Sequence, residues 1–199
     1  MDDVTELGLR DRKKAATRAA LGAAAARLAR ARGIEAVTAD AIAAEAGVST
    51  RTFHNYFASK EEAVLEHLDA LLQNWLQRLR DRPSDEHVWD AIEAAALEVV
   101  AEIDDFDELC AMFELVEQSP ALVSRSIEMQ TRTAPLLVET IAERSGRHAG
   151  TDIYPALLNY CAVAAIRASI DLWVAGTSGA QSPEELIRAA FDRLRQGIS

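Results

Sequence analysis

Residues 47–60, GVSTRTFHNYFASK, interleave three aromatic rings with hydrogen-bonding side chains. On a helical wheel, at about 100° per residue, the two kinds of side chain separate. The aromatic side carries Phe53, Tyr56 and Phe57, and the polar side carries Thr50, Arg51, His54 and Asn55. A hydroxyl, a guanidinium, an imidazole and an amide are groups that pair with base edges and phosphates in the DNA major groove. The pattern therefore predicts a short helix that is anchored by its rings and meets nucleic acid with its other face.

A second short helix is predicted immediately before this one. Thr38 is a favourable N-cap, Asp40 lies in the first turn, where the helix dipole favours an acid, and Gly47 ends the helix. Ser49 then caps the polar-faced helix, which we expect to run to about Phe57. Two short helices joined by a tight turn form a helix-turn-helix, whose second helix lies in the major groove. The alternative is a helical hairpin with one solvated face.

Charge is distributed unevenly along the chain. The 199 residues carry a net charge of −11, but residues 9–60 sum to +6 and residues 61–199 sum to −14. Basic residues flank the two short helices: Arg10, Arg12, Lys13, Lys14 and Arg18 before them, and Lys60 after them. Phosphates need such charges on either side of a groove, so we expect Lys14, Arg18 and Lys60 among the DNA contacts. A solvated charged surface is the alternative.

The remaining pattern is helical, with almost no strand-like alternation. A first helix is predicted from about Arg10 to Arg32, with an inward stripe of Ala16, Ala20, Ala23, Ala24, Leu28 and Ala31. Ser59 and Glu62 form a capping box that opens a fourth helix over 59–82. Further helices are expected near 85–103, 106–118, 121–146, 152–176 and 184–197. Pro135 lies inside one of them, so we expect a kink or a break into two helices there.

Several classes of function lack their signatures in this sequence. The four histidines show no HxxxH or HExxH spacing, and there is no Cys/His cluster, GxSxG, P-loop or GxGxxG motif. We therefore expect no enzyme activity, no metal and no cofactor. No secretory signal is visible, so Cys110 and Cys161 are expected to be buried thiols in a reducing cytoplasm. The apolar run at 160–166 stops at Arg167, so no membrane span is expected.

Residues 10–70 resemble the DNA-binding domain of the tetracycline-repressor (TetR) family of bacterial transcription regulators. Three stretches carry the resemblance, RDRKKAATRAAL, LARARGIEAVTADAIAAEAGVS and TRTFHNYFASKEEAV. The third is similar to the family's pattern of Thr, an aromatic residue, two variable residues, Phe and then Ser-Lys-Glu. The rest of the chain resembles the family only in its length and its helical character.

The resemblance implies a role for each matching residue. Thr50, Arg51, Thr52 and Asn55 would face bases or nearby phosphates. Tyr56 and Lys60 would hold phosphates, and Thr38 would cap its helix against the DNA backbone. His54 stands where many members carry tyrosine, and its partner could be a phosphate or a base. Arg51 is the best candidate for guanine readout, through a bidentate pair worth about 1–3 kcal/mol of discrimination.

The resemblance also implies an all-α fold of about nine helices. Residues 1–58 would form an N-terminal helix-turn-helix DNA-binding domain from helices 1–3. Residues 59–199 would form a larger helical ligand-binding and dimerisation domain, with helix 4 (59–82) connecting the two. The implied function is that of a sequence-specific transcriptional regulator, a ligand-responsive repressor that binds a palindromic double-stranded DNA operator as a homodimer in the cytoplasm.

Two further sets of residues are candidates for the dimer interface and for an effector site. The last two predicted helices carry small and apolar residues at helical spacing, from which we expect a four-helix interface of Ala165, Ala168, Leu172, Ala175, Ile187 and Phe191. The alternative is that these residues close the monomer core. An apolar or aromatic small-molecule effector would suit a lining of Trp75, Trp89, Phe106, Met112, Phe113, Met129, Asn159, Tyr160 and Arg167. Each of them is alternatively an ordinary core or surface residue.

A rival hypothesis concerns the whole chain. It would be a helical ligand-binding or protein-interaction module whose basic end binds DNA without sequence specificity. Sequence preference and salt dependence of DNA binding distinguish the two hypotheses.

Overall fold

The computed structural model describes residues 3–103 and 105–197. Within these ranges the chain forms ten α-helices and one 3-10 turn, Ile34–Ala36, and no strand. The helices are α1 (Asp3–Arg32), α2 (Ala39–Glu45), α3 (Thr50–Tyr56), α4 (Lys60–Val64), α5 (Glu66–Asp81), α6 (Val88–Val100), α7 (Phe106–Gln118), α8 (Pro120–Ser145), α9 (Ile153–Ala175) and α10 (Pro183–Gln196). The predicted all-α fold is confirmed.

Side-chain caps begin the three short helices where the sequence predicts them. The backbone amide of Ala41 donates to Thr38 Oγ1 at 3.2 Å, that of Thr52 donates to Ser49 Oγ at 3.1 Å, and that of Glu62 donates to Ser59 Oγ at 3.1 Å. Such bonds satisfy amides that have no partner within the helix. The turn between α2 and α3 contains Gly47 at a φ of +69°, in the left-handed region that glycine adopts without strain.

Several predicted boundaries differ from the structure, and α1 begins at Asp3 rather than at about Arg10. The predicted helix 4 is divided at Leu65 into α4 and α5, so the described residues contain ten helices rather than nine. Helix α6 begins at Val88 rather than at 85, because the imidazole of His87 accepts from the amide of Trp89 at 3.3 Å and caps the helix there. Helix α8 continues through Pro135, so the alternative of a break into two helices is wrong.

Packing divides the described residues into two units. The first unit extends to Ala70 and includes Ala111–Glu128, and the second unit comprises Leu71–Cys110 and the chain from Met129 onwards. Helices α5, α7 and α8 therefore each contribute residues to both units. The proposed functional boundary after residue 58 stays a prediction, because packing alone does not assign functions to helices.

In the first unit, α1 packs against the 3-10 turn, α2 and α4, and α2 packs against α3. Fully or almost fully buried side chains form its core: Leu21, Ala25, Ile42, Phe53, Phe57, Val64 and Leu122. The inward face of α1 differs from the predicted stripe, since Ala16, Ala20, Ala23 and Ala31 are exposed and only Ala24 and Leu28 of that stripe are buried. The buried face of α1 begins with Leu21 rather than with the alanines before it.

In the second unit, α10 packs against α9 and α6. The core of this unit contains Trp75, Leu79, Trp89, Ile92, Leu137, Ile141, Ala162, Ile187 and Phe191. The rings of Trp89 and Phe191 lie 4.9 Å apart, within the range of favourable aromatic contact. The end of α5 is held by Arg144, whose guanidinium donates to the carbonyls of Leu79, Arg82 and Pro83.

Candidate nucleic-acid interface

Helix α3 has one buried and one exposed face. Phe53 is completely buried and Phe57 is 2% exposed, with their ring centroids 5.7 Å apart. Arg51, His54 and Asn55 are exposed. The predicted separation of the faces is therefore confirmed, and the exposed face carries donors and acceptors suited to base edges. Contact of these side chains with DNA stays a prediction.

Hydroxyl groups hold α3 against α2. Thr50 Oγ1 donates to Asp40 Oδ1 at 2.6 Å, which joins the first turn of α3 to the first turn of α2. The hydroxyls of Ser49 and Thr52 lie 2.8 Å apart and share one hydrogen bond. Since Thr50 uses its only hydroxyl proton within the protein, it retains only acceptor capacity for other partners. Thr50 lies at the predicted place on α3, but its hydrogen bond fixes the orientation of α3 relative to α2.

Two predicted phosphate contacts are directed into the protein. Arg18 donates to the carbonyl oxygen of Tyr56 at 2.8 Å, and its guanidinium lies 4.4 Å from the centre of the Phe57 ring. Lys60 Nζ donates to the carbonyl oxygen of Ile34 at 2.9 Å. Both side chains therefore stabilise the first unit, because their donors satisfy carbonyls at the end of α3 and in the 3-10 turn. Their predicted roles towards DNA find no support in this geometry.

Other basic side chains line a cleft beside the end of α3. Two surface clefts differ in charge. The one at the turn between α8 and α9 has a volume of about 780 Å³, and the one beside the end of α3 has a volume of about 570 Å³ and an excess of basic side chains. The smaller cleft is lined by Arg10, Asp11, Lys13, Lys14, Thr17 and Tyr56. Lys14 and Tyr56 were expected as DNA contacts. Arg10 and Lys13 were not among the predicted contacts, although the basic lead-in to α1 already contained them.

Most predicted effector residues have structural partners. The indole N–H of Trp75 donates to the carbonyl of Ile92 at 3.3 Å, and that of Trp89 donates to the carbonyl of Phe191 at 3.4 Å. Both tryptophans are buried core residues of the second unit. The remaining candidates are dispersed: Met112 is buried and Phe113 half-buried in the first unit, Met129 is buried, Tyr160 is 65% exposed, and Arg167 pairs with Asp171 at 2.8 Å.

Asn159 and Thr133 are two of the buried polar residues of the second unit. Asn159 is 2% exposed and Thr133 is 1% exposed. Neither Asn159 Oδ1 nor Thr133 Oγ1 has a hydrogen-bond partner among the described residues. An unpaired buried polar atom costs about 1–3 kcal/mol, so such atoms point to a role outside packing. Asn159 was predicted as a polar fixture for an effector, and Thr133 was missed because a single threonine in a helical sequence does not indicate whether it is buried.

The outer face of α9 is apolar. Exposed side chains on this face include Ile153, Leu157, Tyr160, Val163, Ala168, Leu172, Val174 and Ala175. Of the predicted dimer residues, Ala168, Leu172 and Ala175 are therefore accessible to a partner. Ala165, Ile187 and Phe191 are at most 4% exposed, because they close the core between α6, α9 and α10. For these three residues the core alternative holds, and their prediction as interface residues is wrong.

Helix α9 is also long and apolar enough to cross a membrane, the one such helix within residues 3–103 and 105–197. Its most apolar window has a mean hydropathy of 1.3 and is 28% buried. The helix nonetheless carries Asn159, Arg167 and Asp171, and it packs against α10 and α6. Over the same described ranges, no group of three or more His, Cys, Asp or Glu side chains is arranged to hold a metal ion.

Known proteins resemble this chain over most of its length. Residues 21–66 match the family described as bacterial regulatory proteins, tetR family, and residues 86–199 match the MftR C-terminal domain. The HTH-type transcriptional regulator TcmR of Streptomyces glaucescens is 34% identical over 156 residues, which cover 74% of this chain and 69% of TcmR. MftR of Mycobacterium tuberculosis is 28% identical over 180 residues, or 84% of each chain.

A solved structure shares the fold. The fatty acid degradation regulator FadR of Bacillus halodurans aligns with a TM-score of 0.55 at 16% identity, over 88% of this chain and 92% of its own. At that identity the likeness concerns the fold alone. The match over residues 86–199 covers more than half of the chain, and TcmR is 34% identical over 69% of its own length. The chain therefore belongs to the tetR family of bacterial regulatory proteins and is a DNA-binding transcriptional regulator.

Proposed function

We propose that the chain is a ligand-responsive repressor that binds a palindromic operator as a homodimer, with α3 in the major groove. The observation that carries the proposal is the division of α3 into the buried Phe53 and Phe57 and the exposed Arg51, His54 and Asn55. A guanidinium and an amide side by side on an exposed helix can each form bidentate pairs with bases. The protein acts in the cytoplasm, where bacterial DNA is found, and its role is regulatory rather than catalytic.

Base and phosphate contacts fall to different side chains in this proposal. Arg51 pairs with guanine, and Asn55 and His54 contact neighbouring bases or phosphates. Phosphates are bound in the basic cleft by Arg10, Lys13, Lys14 and Tyr56, which line it together. The Thr38 hydroxyl accepts a hydrogen bond from the amide of Ala41 and so keeps its proton for a phosphate oxygen. These contacts fix the register in which α3 enters the groove.

The homodimer forms through the outer face of α9. Leu157 is 51% exposed and Tyr160 is 65% exposed, and both are flanked by further aliphatic residues on the same face. The only charged side chains within that face, Arg167 and Asp171, neutralise each other. A largely apolar helix face is suited to a second copy of itself across a two-fold axis. The two copies of α3 would then read half-sites about 34–36 Å apart or a multiple of that distance.

The effector binds within the second unit, where Asn159 and Thr133 supply unpaired polar atoms. Helix α8, which carries Thr133, also carries buried apolar side chains such as Met129. A largely apolar or aromatic molecule with one or two hydrogen-bonding groups would suit these apolar side chains and the two unpaired polar atoms. Repression is the mode of regulation we propose, with release of the operator when the effector binds.

Selection of DNA by the protein tests this function. Duplexes retained from fragmented genomic DNA or from a random library are sequenced, and their affinity is then measured by gel shift at several salt concentrations. We expect an inverted repeat among the selected duplexes, and binding at least about a thousandfold tighter than to random DNA. A steep salt dependence without any preference for the selected duplexes would instead support a helical module with non-specific DNA binding.

A further inference from the structure

Arg18 of α1 binds the carboxyl end of α3. The Nη1 group of Arg18 donates to the carbonyl oxygen of Tyr56 at 2.8 Å. Its Nη2 group lies 2.6 Å from Glu66 Oε2 and 3.8 Å from Glu62 Oε1. A cationic donor at the carboxyl end of a helix stabilises both its free carbonyls and its dipole. Arg18 thereby connects the last turn of α3 to α4 and α5.

A glycine brings α1 close enough for this contact. A Cβ atom added to Gly22 would lie 2.7 Å from Cβ of Glu66, closer than two such carbons approach. Gly22 lies one turn beyond Arg18 on α1, so the same helix face carries the close approach and the guanidinium. Any side chain at residue 22 would move Glu66 away from Arg18.

Glu62 joins this cluster to a second arginine. Its Oε2 accepts a hydrogen bond from the amide of Ala58 at 3.0 Å and lies 3.1 Å from Nη2 of Arg125. We name the four side chains Arg18, Glu62, Glu66 and Arg125 the ion chain. Their side chains are only 33%, 22%, 13% and 30% exposed, so solvent and salt screen the ion chain less than pairs at the surface. Two positive and two negative groups balance one another within it.

Arg125 belongs to a helix that contributes residues to both units. Residues of α8 up to Glu128 pack in the first unit, and those from Met129 onwards pack in the second. Thr133, with its unpaired hydroxyl, lies two turns beyond Arg125 on that helix. Arg125 also pairs with Glu128 at 2.6 Å, which is 61% exposed and lies on α8 itself. Arg125 of α8 therefore contacts the other members of the ion chain through Glu62.

We propose that Arg125 is a positioning residue for operator binding, which acts on α3 through Glu62 and Arg18. The inference rests on the proposed operator-binding function. With Arg125 present, Glu62 has its own counter-ion, and Arg18 can bind both Glu66 and the Tyr56 carbonyl. Without Arg125, Glu62 and Glu66 share one arginine, and their attraction draws the guanidinium away from Tyr56.

A double-mutant cycle on operator affinity tests the inference. The probe is the tightest duplex selected by the parent protein from a random library. Arg125→Ala is expected to raise the operator Kd about fivefold or more. Glu62→Gln alone is expected to leave it within about twofold, because Arg18 then binds only Glu66 and the Tyr56 carbonyl. Glutamine at residue 62 still accepts from the amide of Ala58, so the capping box is kept. The double variant is expected to regain most of the affinity that Arg125→Ala loses, because residue 62 then no longer competes for Arg18.

Three controls separate positioning from general effects. Arg80→Ala removes an equal charge from the exposed surface of α5, and Glu128→Gln removes the other partner of Arg125. Both are expected to leave the operator Kd within about twofold. Arg125→Lys is expected to restore most of the affinity, since an ammonium can also pair with Glu62. Circular dichroism confirms that each variant is folded at the assay temperature, and Arg125→Gln replaces Arg125→Ala in the test if Arg125→Ala unfolds.

The outcomes distinguish the inference from the function on which it rests. If Arg125→Ala loses no more affinity than Arg80→Ala, or if the double variant binds as weakly as Arg125→Ala or more weakly, Arg125 does not act through Glu62 and the inference is wrong. If the parent protein selects no preferred duplex, the proposed operator binding fails, and the inference fails with it.

Discussion

Arg51 and Phe53 lie two residues apart on α3, and truncating the first should affect DNA recognition whereas truncating the second should affect stability. Arg51 is exposed, so Arg51→Ala should leave the melting temperature near that of the parent and flatten base preference at one operator position, a loss of about 1–3 kcal/mol. Phe53 is completely buried, so Phe53→Ala should destabilise the first unit by about 3–5 kcal/mol. Binding to a library with one randomised position and thermal unfolding measure the two effects. Equal melting and equal DNA binding of both variants would contradict the assignment of the two faces.

Glu66 should make stability depend on pH. Burial raises the pKa of Glu66 above its ordinary value, while Arg18 opposes the shift. The folded protein therefore binds this proton more tightly than the unfolded chain does, and folding loses stability as the pH rises from the ordinary pKa through the raised one. We expect the free energy of unfolding of Glu66→Gln to gain on that of the parent across this window and to level off above it.

Urea unfolding between about pH 4 and pH 8 measures this difference. Glu139→Gln, an exposed change on α8, serves as the control for replacing a carboxylate by an amide. A gap between parent and Glu66→Gln that changes in the opposite direction with pH would show that the Arg18 pair outweighs burial.

At the level of helices, Arg144 of α8 caps the carboxyl end of a different helix, α5. Its guanidinium donates to three carbonyls at the end of α5, at 3.3 Å from Leu79, 2.9 Å from Arg82 and 2.6 Å from Pro83. Arg144→Ala leaves these carbonyls without a cationic donor and should lower the free energy of unfolding by about 1.5–3 kcal/mol. Urea unfolding measures the loss. Arg188→Ala, on the exposed side of α10, should change stability by less than about 0.5 kcal/mol.

Local features of the helices could be predicted from the sequence, whereas features that depend on tertiary packing could not. Thr38, Ser49 and Ser59 cap amides three residues away, so their effect is fixed within one turn. The division at Leu65 has no such local signal. The buried face of α1 was misassigned because alanine is small enough for either face, and an alanine stripe does not distinguish them.

The same contrast holds for the candidate site. The faces of α3 could be predicted, because large rings and polar side chains occupy opposite sides of one short helix. The direction of Arg18 and Lys60 could not, since a long basic side chain reaches either a phosphate or a nearby carbonyl, and only the packed structure places Tyr56 and Ile34 within reach. Ile187 and Phe191 were misplaced because core and interface residues have the same composition.

For the whole molecule, the outer face of α9 predicts how the chain assembles. Leu157 is 51% exposed, so a charge at this residue costs the monomer little, whereas it would be buried in the proposed dimer. Leu157→Glu should therefore sediment as a monomer and lose operator affinity. Ile127→Glu, at a residue that is 57% exposed on α8, is the matched control and should remain dimeric. A dimeric Leu157→Glu variant would place the interface elsewhere.

The apolar face of α9 also concerns the chain before it meets a partner. A newly synthesised chain exposes a helix of 23 residues whose composition would suffice for a membrane span. In the proposed dimer a second copy covers this surface, and association gains strength with concentration, so the apparent stability of each chain rises with the number of its copies. Scarce chains would spend longer uncovered and be degraded sooner. The abundance of the regulator would thus influence its own lifetime in the cell.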